Sequence, residues 1–391
     1  MLKNIIKILL GIIIIALLVV GGLYYKNNFI DNNKQESNKK KDNSIVDKEW
    51  ENSIFKNYIN RAKEIVSKMT IKEKVGQLFL VQYNKNDVDY LSNFYPGGYI
   101  LFAKDFDNHT KESMKEEIEN NQSKNKYGLI MGADEEGGYV TRVSRFKAYR
   151  NEKFLSPKSY YEEGGYPLLE KMEIEKLELL KSIGINLNLA PVADISTNEN
   201  DFIYSRSLGY DANKTSEIIS KMVEIANEHK ISSCLKHFPG YGNNEDTHTG
   251  VAVDERSYEE FKNNDFLPFE AGIKAKVPTI LVSHNIVKSM DENYPASLSS
   301  KVINELRNTL NFNGIIITDD LSMKAVKEYV ENGQAATYAI NAGVDMIITG
   351  EFISMKNEIL ESVNNKIIKE EAINKAVTRI IAWKLQSNII N

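Results

Sequence analysis

The chain has 391 residues, and 42% of them are hydrophobic, which is enough to build a sizeable core. Its formal net charge of −5 argues against binding of nucleic acid, which requires a basic face. The single cysteine, Cys234, excludes both an internal disulfide framework and lipid attachment near the N terminus, so the core alone must stabilise the fold.

The first 26 residues predict a membrane anchor. Residues 8–25 carry no charge, and at about 1.5 Å per helical residue they would reach about 27 Å, enough to cross a hydrocarbon core. Lys3 and Lys7 precede this run, and no small-x-small cleavage site is evident after it. We expect a single-pass anchor in the cell membrane with the rest of the chain outside. A cleaved signal peptide, and hence secretion, is the alternative.

Residues 27–49 predict a disordered polar linker, because they are rich in Asn, Lys, Ser and Asp and too poor in apolar residues to bury anything. Residues 1–49 carry eight lysines against five acidic residues, so the whole-chain charge of −5 leaves about −8 for residues 50–391. No change of composition divides residues 50–391, and we expect a single catalytic domain there.

Eight apolar runs separated by amphipathic segments predict the fold of this domain. The runs expected to be strands are 76–81, 98–102, 129–133, 187–192, 232–235, 279–282, 315–318 and 344–348. The main segments expected to be helices are 111–121, 168–183, 215–229, 301–310, 323–341 and 370–385. This alternation is typical of an α/β fold, a single (β/α)8 TIM-type barrel. A doubly wound open sheet is the alternative, and the strand count favours the barrel.

Five of the predicted strands are followed by ionisable or polar residues. These are Asp134, Asp194, Lys236 with His237, Ser283 with His284, and Asp319 with Asp320. Barrel enzymes place their sites at the carboxyl ends of the strands. One such residue would usually be a helix cap, but five that converge on one rim indicate an active site.

The most informative segment runs from Lys236 to Gly242 and is followed by Asp246 and His248. Two glycines and a proline keep this loop out of regular structure. An Asp and a His two residues apart can hydrogen-bond in a turn, where the carboxylate fixes the imidazole tautomer and raises its basicity. For an isolated Asp-x-His pair, a solvated polar loop or a helix cap is the alternative interpretation.

Several motifs together carry a family resemblance. They are MTIKEKVGQL at 69–78, PGGYILF at 96–102, DEEGG at 134–138 with Arg142, Arg206-Ser207, the 236–242 loop with Asp246-Thr247-His248, and TDDLSM at 318–323. The chain thereby resembles glycoside hydrolase family 3, in particular its single-domain β-N-acetylhexosaminidases, over nearly all of residues 55–385. The resemblance implies a retaining exo-β-N-acetylglucosaminidase with a carbohydrate substrate. No spacing of histidines calls for a metal, and no cofactor is expected.

The resemblance also implies the catalytic roles. Asp319, directly after the strand at 315–318, would be the nucleophile and would form a covalent glycosyl–enzyme intermediate. Asp320 would support the site through hydrogen bonds. His248 would be the general acid/base, and Asp246 would orient it and stabilise its imidazolium form.

Five further residues are implied as sugar ligands that make charge-assisted hydrogen bonds to the hydroxyls and the N-acetyl group. They are Asp134, Arg142, Arg206, Lys236 and His237. Without the resemblance, a salt bridge at the barrel rim is the alternative role for the two arginines. His284 is expected to form hydrogen bonds at a strand end rather than to bind sugar.

The sequence departs from the family pattern in three places. Tyr241 stands where the family usually has His, Tyr139 stands where Arg is common, and Asn243-Asn244 replace Asp-Thr in a loop that is one residue shorter. A phosphorylase and a noncatalytic protein that binds cell-wall glycan remain alternative functions. With the predicted anchor, peptidoglycan or its muropeptide fragments are the expected source of β-linked N-acetylglucosamine.

Overall fold

The structure, a computed structural model, describes residues 50–242, 252–330 and 333–390. The chain divides into two units, Met1–Lys56 and Asn57–Asn391. Of the first unit only residues 50–56 are described, and they form a turn in which Ser53 N donates to Trp50 O at 3.0 Å. The architecture below is that of the second unit.

The predicted anchor at 1–26 and the predicted linker at 27–49 lie outside the described residues. Among the helices that the structure describes, none combines the length and the apolar character needed to cross a membrane. The membrane anchor therefore stays a prediction from the sequence.

The described residues form ten strands in two sheets. They are β1 (Phe79–Gln82), β2 (Gly98–Leu101), β3 (Ile130–Ala133), β4 (Leu187–Asn188), β5 (Ser232–Phe238), β6 (Val253–Asp254), β7 (Thr279–Val282), β8 (Ile286–Val287), β9 (Ile315–Thr318) and β10 (Ile347–Thr349). Eight of them form one parallel sheet in the order β10-β1-β2-β3-β4-β5-β7-β9, and β6 pairs with β8 in a small parallel sheet. In the sequence, β6 precedes β7 and β8 follows it. The small sheet is therefore an addition to the eight-stranded sheet.

The large sheet closes on itself. Ile317 of β9 and Met346, just before β10, form a parallel bridge, and Thr318 N donates to Met346 O at 3.0 Å. Strands β10 and β9, at the two ends of this order, are therefore neighbours, as in a barrel. The predicted barrel of eight parallel strands is confirmed, and the doubly wound open sheet is wrong.

Helices connect the strands. They are α1 (Ile59–Ser67), α2 (Ile71–Gln77), α3 (Val88–Ser92), α4 (Ala103–Phe106), α5 (Lys111–Ser123), α6 (Pro157–Ser182), α7 (Ala212–His229), α8 (Tyr258–Glu260), α9 (Phe266–Lys274), α10 (Ser300–Asn304), α11 (Lys324–Tyr329), α12 (Ala335–Ala342), α13 (Phe352–Asn364) and α14 (Glu370–Gln386). Two π-helical segments, Phe261–Asp265 and Glu305–Thr309, continue α8 and α10, and Ala296–Leu298 is a 3-10 turn.

Local sequence explains where the helices begin. Thr70 and Glu73 form a capping box on α2, in which Thr70 Oγ1 accepts from Glu73 N at 3.3 Å and Glu73 Oε2 accepts from Thr70 N at 2.7 Å. Ser156 caps α6 and is followed by a proline at the first helical position. Asp211 caps α7 by accepting from Lys214 N at 2.9 Å.

Several element boundaries differ from the prediction, among them the strand predicted over 187–192, which is Leu187–Asn188, and the helix predicted from 168, which begins at Pro157. Gly76, predicted to start a strand, belongs to α2, where a Cβ atom would lie 2.1 Å from Phe94 O, so glycine permits close packing there. The helix predicted over 323–341 is divided into α11 and α12. The strand predicted to end at Leu235 continues to Phe238, and its register against β7 shifts between Leu235 and Phe238.

A buried lysine lies at the amino end of the barrel. Lys384 of α14 is fully buried and donates to Gln77 Oε1 at 2.7 Å and to Gly128 O at 2.8 Å. These acceptors precede β1 and β3 in the chain, so Lys384 ties α14 to the end of the barrel opposite to the carboxyl ends of the strands. Burial lowers the pKa of Lys384 well below its usual value.

Candidate active site

A cavity of about 530 Å³ opens at the carboxyl ends of the strands. Six of the eight predicted site residues line it: Asp134, Arg142, Arg206, Lys236, His237 and Asp319. Asp134 follows β3, Lys236 and His237 end β5, and Asp319 follows β9, so the parallel strands deliver them to one rim. The other two predicted residues, Asp246 and His248, lie in 243–251, outside the described residues.

Four charged side chains form a buried ion cluster on the wall of this cavity. Lys236 Nζ lies 2.7 Å from both Asp134 Oδ1 and Glu136 Oε1. Arg206 donates to Glu136 twice, from Nε at 3.0 Å and from Nη2 at 2.7 Å. Lys236 is 2% exposed and Glu136 is 4% exposed, so these ion pairs are shielded from water. Such a cluster holds its members in fixed positions for a polar ligand.

The cluster stays ionised because its charges compensate each other. Burial alone would raise the pKa of Glu136, but the positive charges of Lys236 and Arg206 hold that pKa well below its usual range. Burial alone would lower the pKa of Lys236, but Asp134 and Glu136 raise it above its usual value. Glu136 and Lys236 therefore stay charged in the folded protein.

His237 connects this cluster to Asp194, a buried carboxylate outside it. Its Nδ1 lies 2.7 Å from Asp194 Oδ2, and a carboxylate only accepts, so Nδ1 carries a proton and donates. Its Nε2 lies 3.2 Å from Arg206 Nη2, which can only donate, so Nε2 accepts. His237 is thus a neutral imidazole with both ring nitrogens engaged by the protein, which suits positioning better than proton transfer.

The loop after β3 is held from within by Glu135. Its fully buried carboxylate accepts from the backbone N–H groups of Arg142 at 2.8 Å, Val143 at 2.7 Å and Ser144 at 3.2 Å. Its own backbone N–H donates to Asn188 Oδ1 at 3.0 Å, which ties the loop to β4. These hydrogen bonds explain how a non-helical loop holds Asp134, Glu136 and Arg142 toward one cavity.

Strand pairing fixes the position of Asp319. Its backbone N–H donates to Val282 O at 2.9 Å, which continues the pairing of β9 with β7. Its Oδ1 accepts from Asp320 N at 2.8 Å, and the side chain is only partly exposed where it lines the cavity. The carboxylate therefore projects from a rigid strand end rather than from a loop.

Asp320 is surrounded by supporting hydrogen bonds. Its carboxylate accepts from Gln82 Nε2 and from the Ser322 backbone N–H, the latter at 2.8 Å. The fully buried His284 donates from Nε2 to Asp320 O at 3.0 Å, and its Nδ1 lies 2.7 Å from Ser297 Oγ. His284 thus holds the backbone next to Asp319, as expected for a hydrogen-bonding residue at a strand end.

Arg256 fixes the segment that leads to 243–251. Its guanidinium donates to Asp265 Oδ1 and Oδ2 at 3.0 Å, to Asp254 Oδ2 at 2.7 Å and to Gly240 O at 3.1 Å. Gly240 has φ of 125°, and a Cβ there would lie 2.3 Å from Asp265 Oδ1, so only glycine fits. Burial raises the pKa of Asp265 to about 6, although Arg256 acts to lower it.

Three residues that shape the site are not among the eight predicted site residues. Glu136 is the centre of the ion cluster, Asp194 sets the tautomer of His237, and Gln82 donates to Asp320. Glu136 lies within the DEEGG motif, and Asp194 follows a predicted strand, so both carried a signal that could have found them. Gln82, at the end of β1, carried no such signal.

Metal binding has no visible basis in the described ranges, where no group of three or more His, Cys, Asp or Glu side chains is arranged to hold an ion. What the described cavity offers instead is a carboxylate at a strand end beside fixed cationic and anionic hydrogen-bonding groups. A closed parallel barrel with such a cavity at its carboxyl rim is the architecture of a barrel enzyme, and a fixed carboxylate beside polar groups suits the cleavage of a glycosidic bond.

The comparison of sequences makes the family explicit. The Glycosyl hydrolase family 3 N terminal domain matches residues 70–383, and the chain belongs to this family. The chain is 30% identical over 284 residues to a beta-hexosaminidase of Actinobacillus pleuropneumoniae, covering 68% of this chain and 77% of that protein. The predicted family membership is confirmed.

Longer relatives match as well. Beta-hexosaminidase A of Pseudoalteromonas piscicida is 26% identical over 324 residues, which are 75% of this chain, and the chain spans 54% of that protein. A family 3 beta-N-acetylglucosaminidase structure from a Paenibacillus species superimposes with a TM-score of 0.76 at 26% identity, covering 82% of this chain and 63% of that one. The shared part is therefore the barrel.

Proposed function

We propose that this protein is a retaining exo-β-N-acetylglucosaminidase. The observation that carries the proposal is the position of Asp319, which projects from the end of β9 into the cavity that also holds the ion cluster of Asp134, Glu136, Arg206 and Lys236. The names of the relatives, beta-hexosaminidase and beta-N-acetylglucosaminidase, support the same substrate class.

In the proposed reaction, a carboxylate oxygen of Asp319 attacks C1 of the sugar and the bond from C1 to the leaving oxygen breaks. His248, oriented by Asp246, gives a proton to that leaving oxygen. In the second step His248 takes a proton from water, the water oxygen attacks C1, and Asp319 is released. Two displacements at C1 return the β configuration, so the product is β-N-acetylglucosamine.

Recognition of the terminal sugar would use the permanent charges of the cavity. The Asp134 carboxylate can accept from hydroxyl groups, and the Arg142 guanidinium can donate to them or to the N-acetyl carbonyl. Arg142 lines the cavity, and its Nη2 lies 3.7 Å from Asp134 Oδ2, so the guanidinium and the Asp134 carboxylate can contact the same sugar.

The biological substrate in this proposal is β-linked N-acetylglucosamine from peptidoglycan, its muropeptide fragments or similar glycans. The predicted anchor would place the catalytic domain outside the cell membrane, where peptidoglycan is available. Secretion after cleavage of the first residues would lead to the same substrate.

The test of the proposed activity uses a chromogenic β-N-acetylglucosaminide and the matching β-glucoside with residues 50–391. We expect the N-acetyl sugar to be the preferred substrate, with the product in the β configuration by NMR immediately after release. Equal rates for the two sugars would contradict the substrate assignment. A sugar-1-phosphate product in phosphate buffer would indicate a phosphorylase, and binding without turnover would indicate a glycan-binding protein.

Replacement of His248 by alanine tests the proposed acid/base. A substrate with a poor leaving group needs protonation, so we expect its turnover to fall by about 10²- to 10⁴-fold, the usual contribution of general acid catalysis. Dinitrophenolate leaves without being protonated, so the rate of the glycosylation step with a dinitrophenyl glycoside should fall much less. The same loss with both leaving groups would mean that His248 does not protonate the leaving oxygen.

A further inference from the structure

Tyr139 combines high exposure with a position in the candidate active site. It is 82% exposed, more than any other large hydrophobic side chain that the structure describes, and it lines the same cavity as Asp319. Single exposed apolar side chains are common on protein surfaces, so it is the position of this aromatic ring at the edge of a cavity that is informative. Its position makes it available to a ligand rather than to the core.

The ring is carried by a fixed turn. Glu136 N and Gly137 N both donate to Val140 O at 3.1 Å, which closes the turn around Tyr139. Gly138 is tied to the neighbouring segment, since its N–H donates to Phe154 O at 2.9 Å and its carbonyl accepts from Lys153 Nζ at 3.0 Å. The backbone under Tyr139 is therefore held in place before any ligand binds, which reduces the entropy lost on binding.

The turn also connects Tyr139 directly to the ion cluster. Glu136, three residues before Tyr139, is buried and paired with Lys236 and Arg206, whereas Tyr139 is almost fully exposed. The cavity thus changes from permanent charges at its buried wall to an aromatic ring at its exposed edge. Val140 and Phe202, which also line the cavity, add apolar surface to the uncharged part of its lining.

Charged groups at the buried wall and an aromatic ring at the exposed edge suit two successive sugar rings of one substrate. The sugar attacked by Asp319 needs polar partners for its hydroxyls, and its leaving group must extend from C1 toward the solvent. A β-linked pyranose with equatorial substituents carries its axial C–H groups on its two faces, and such a face stacks on an aromatic ring. Aromatic side chains supply this large contact area at a low cost in side-chain entropy.

We propose that Tyr139 is the residue that binds the leaving-group sugar, by stacking on the pyranose ring linked to the terminal N-acetylglucosamine. The inference depends on the proposed function, because it assumes that the terminal sugar lies against Asp319. It assigns the protein a preference for disaccharides and longer β-linked glycans over substrates in which no sugar follows the scissile bond.

The experiment compares N,N′-diacetylchitobiose with N-acetylglucosaminyl β-fluoride, in which the leaving group is a single atom that cannot contact Tyr139. For Tyr139→Ala we expect kcat/KM on the disaccharide to fall about ten-fold, mainly through KM, because one stacking contact is lost. The rate on the fluoride should stay at the wild-type level, and Tyr139→Phe should retain activity on both. Tyr338→Ala removes a partly exposed tyrosine elsewhere and should change neither rate.

A binding measurement separates this inference from the proposed function. In Asp319→Ala protein, titration calorimetry should show tighter binding of the disaccharide than of N-acetylglucosamine, and Tyr139→Ala should remove that difference. If the wild-type protein does not hydrolyse the disaccharide but binds it in a way that depends on the Tyr139 ring, the hydrolase assignment is wrong and the stacking role of Tyr139 stands. Equal losses of rate on both substrates, or no loss on the disaccharide, would overturn the role of Tyr139.

Discussion

Replacing Asp319 with alanine is expected to reduce hydrolysis of β-N-acetylglucosaminides by about 10⁴-fold or more, the scale seen when a covalent nucleophile is removed. The reason is geometric, since backbone pairing of β9 with β7 holds this carboxylate at the cavity, and Asp319 N donates to Val282 O at 2.9 Å. Measurement of kcat with a chromogenic substrate checks the loss. Asp89→Ala, at an exposed carboxylate on α3, is the matched control.

A second measurement identifies what kind of loss occurs. Removal of the carboxylate leaves space on one face of C1, and a small anion such as azide can enter it. With an activated β-substrate, Asp319→Ala protein should therefore regain turnover in azide and release the α-glycosyl azide. Undiminished hydrolysis by Asp319→Ala, or an azide product in the β configuration, would exclude Asp319 as the nucleophile.

Replacing Lys236 with methionine is expected to lower the free energy of unfolding by about 3–5 kcal/mol, the usual effect of removing one partner from a buried ion pair. Lys236 Nζ lies 2.7 Å from both Asp134 and Glu136, so its loss leaves buried carboxylates short of positive charge. We also expect the affinity for N-acetylglucosamine to fall, since Asp134 and Glu136 lose their fixed positions. Chemical denaturation and titration calorimetry measure the two effects.

Lys384→Met provides the matched control, because Lys384 is equally buried but lies at the amino end of the barrel. Its acceptors are neutral, namely Gln77 Oε1 and the carbonyl oxygens of Tyr127 and Gly128. No charge is left unpaired by its removal, so we expect a smaller cost of about 1–3 kcal/mol and no effect on kcat/KM. Equal destabilisation by the two substitutions would show that the ion cluster has no special energetic role.

The fold followed closely from the pattern of apolar residues. Strands β7 and β9 have the bounds that their apolar runs predicted, because a strand buried on both faces is apolar along its whole length. The prediction was shorter than the structure at β5, where Lys236 and His237 interrupt the apolar run. A lysine can occupy a buried strand end here only because carboxylates from the loop after β3 compensate its charge.

The candidate site was predicted in part. The rim position of Asp134, Lys236 and Asp319 followed from their place after apolar runs, and the structure brings all three to one cavity. The roles of Glu136 and Asp194 did not follow, because a carboxylate inside a motif looks the same whether it binds a ligand or supports another residue. Only the contacts that each carboxylate makes in the folded chain distinguish these two roles.

Local patterns in the sequence were enough to predict the alternation of strands and helices, the placement of polar residues at strand ends and the family of the chain. Which charges meet depends on how the whole chain folds. Glu136 and Arg206 are separated by 70 positions in the chain, and Asp134 and Lys236 by 102. Closure of the barrel brings them within hydrogen-bonding distance, and their burial together keeps them ionised, because each charge offsets the desolvation of its neighbour.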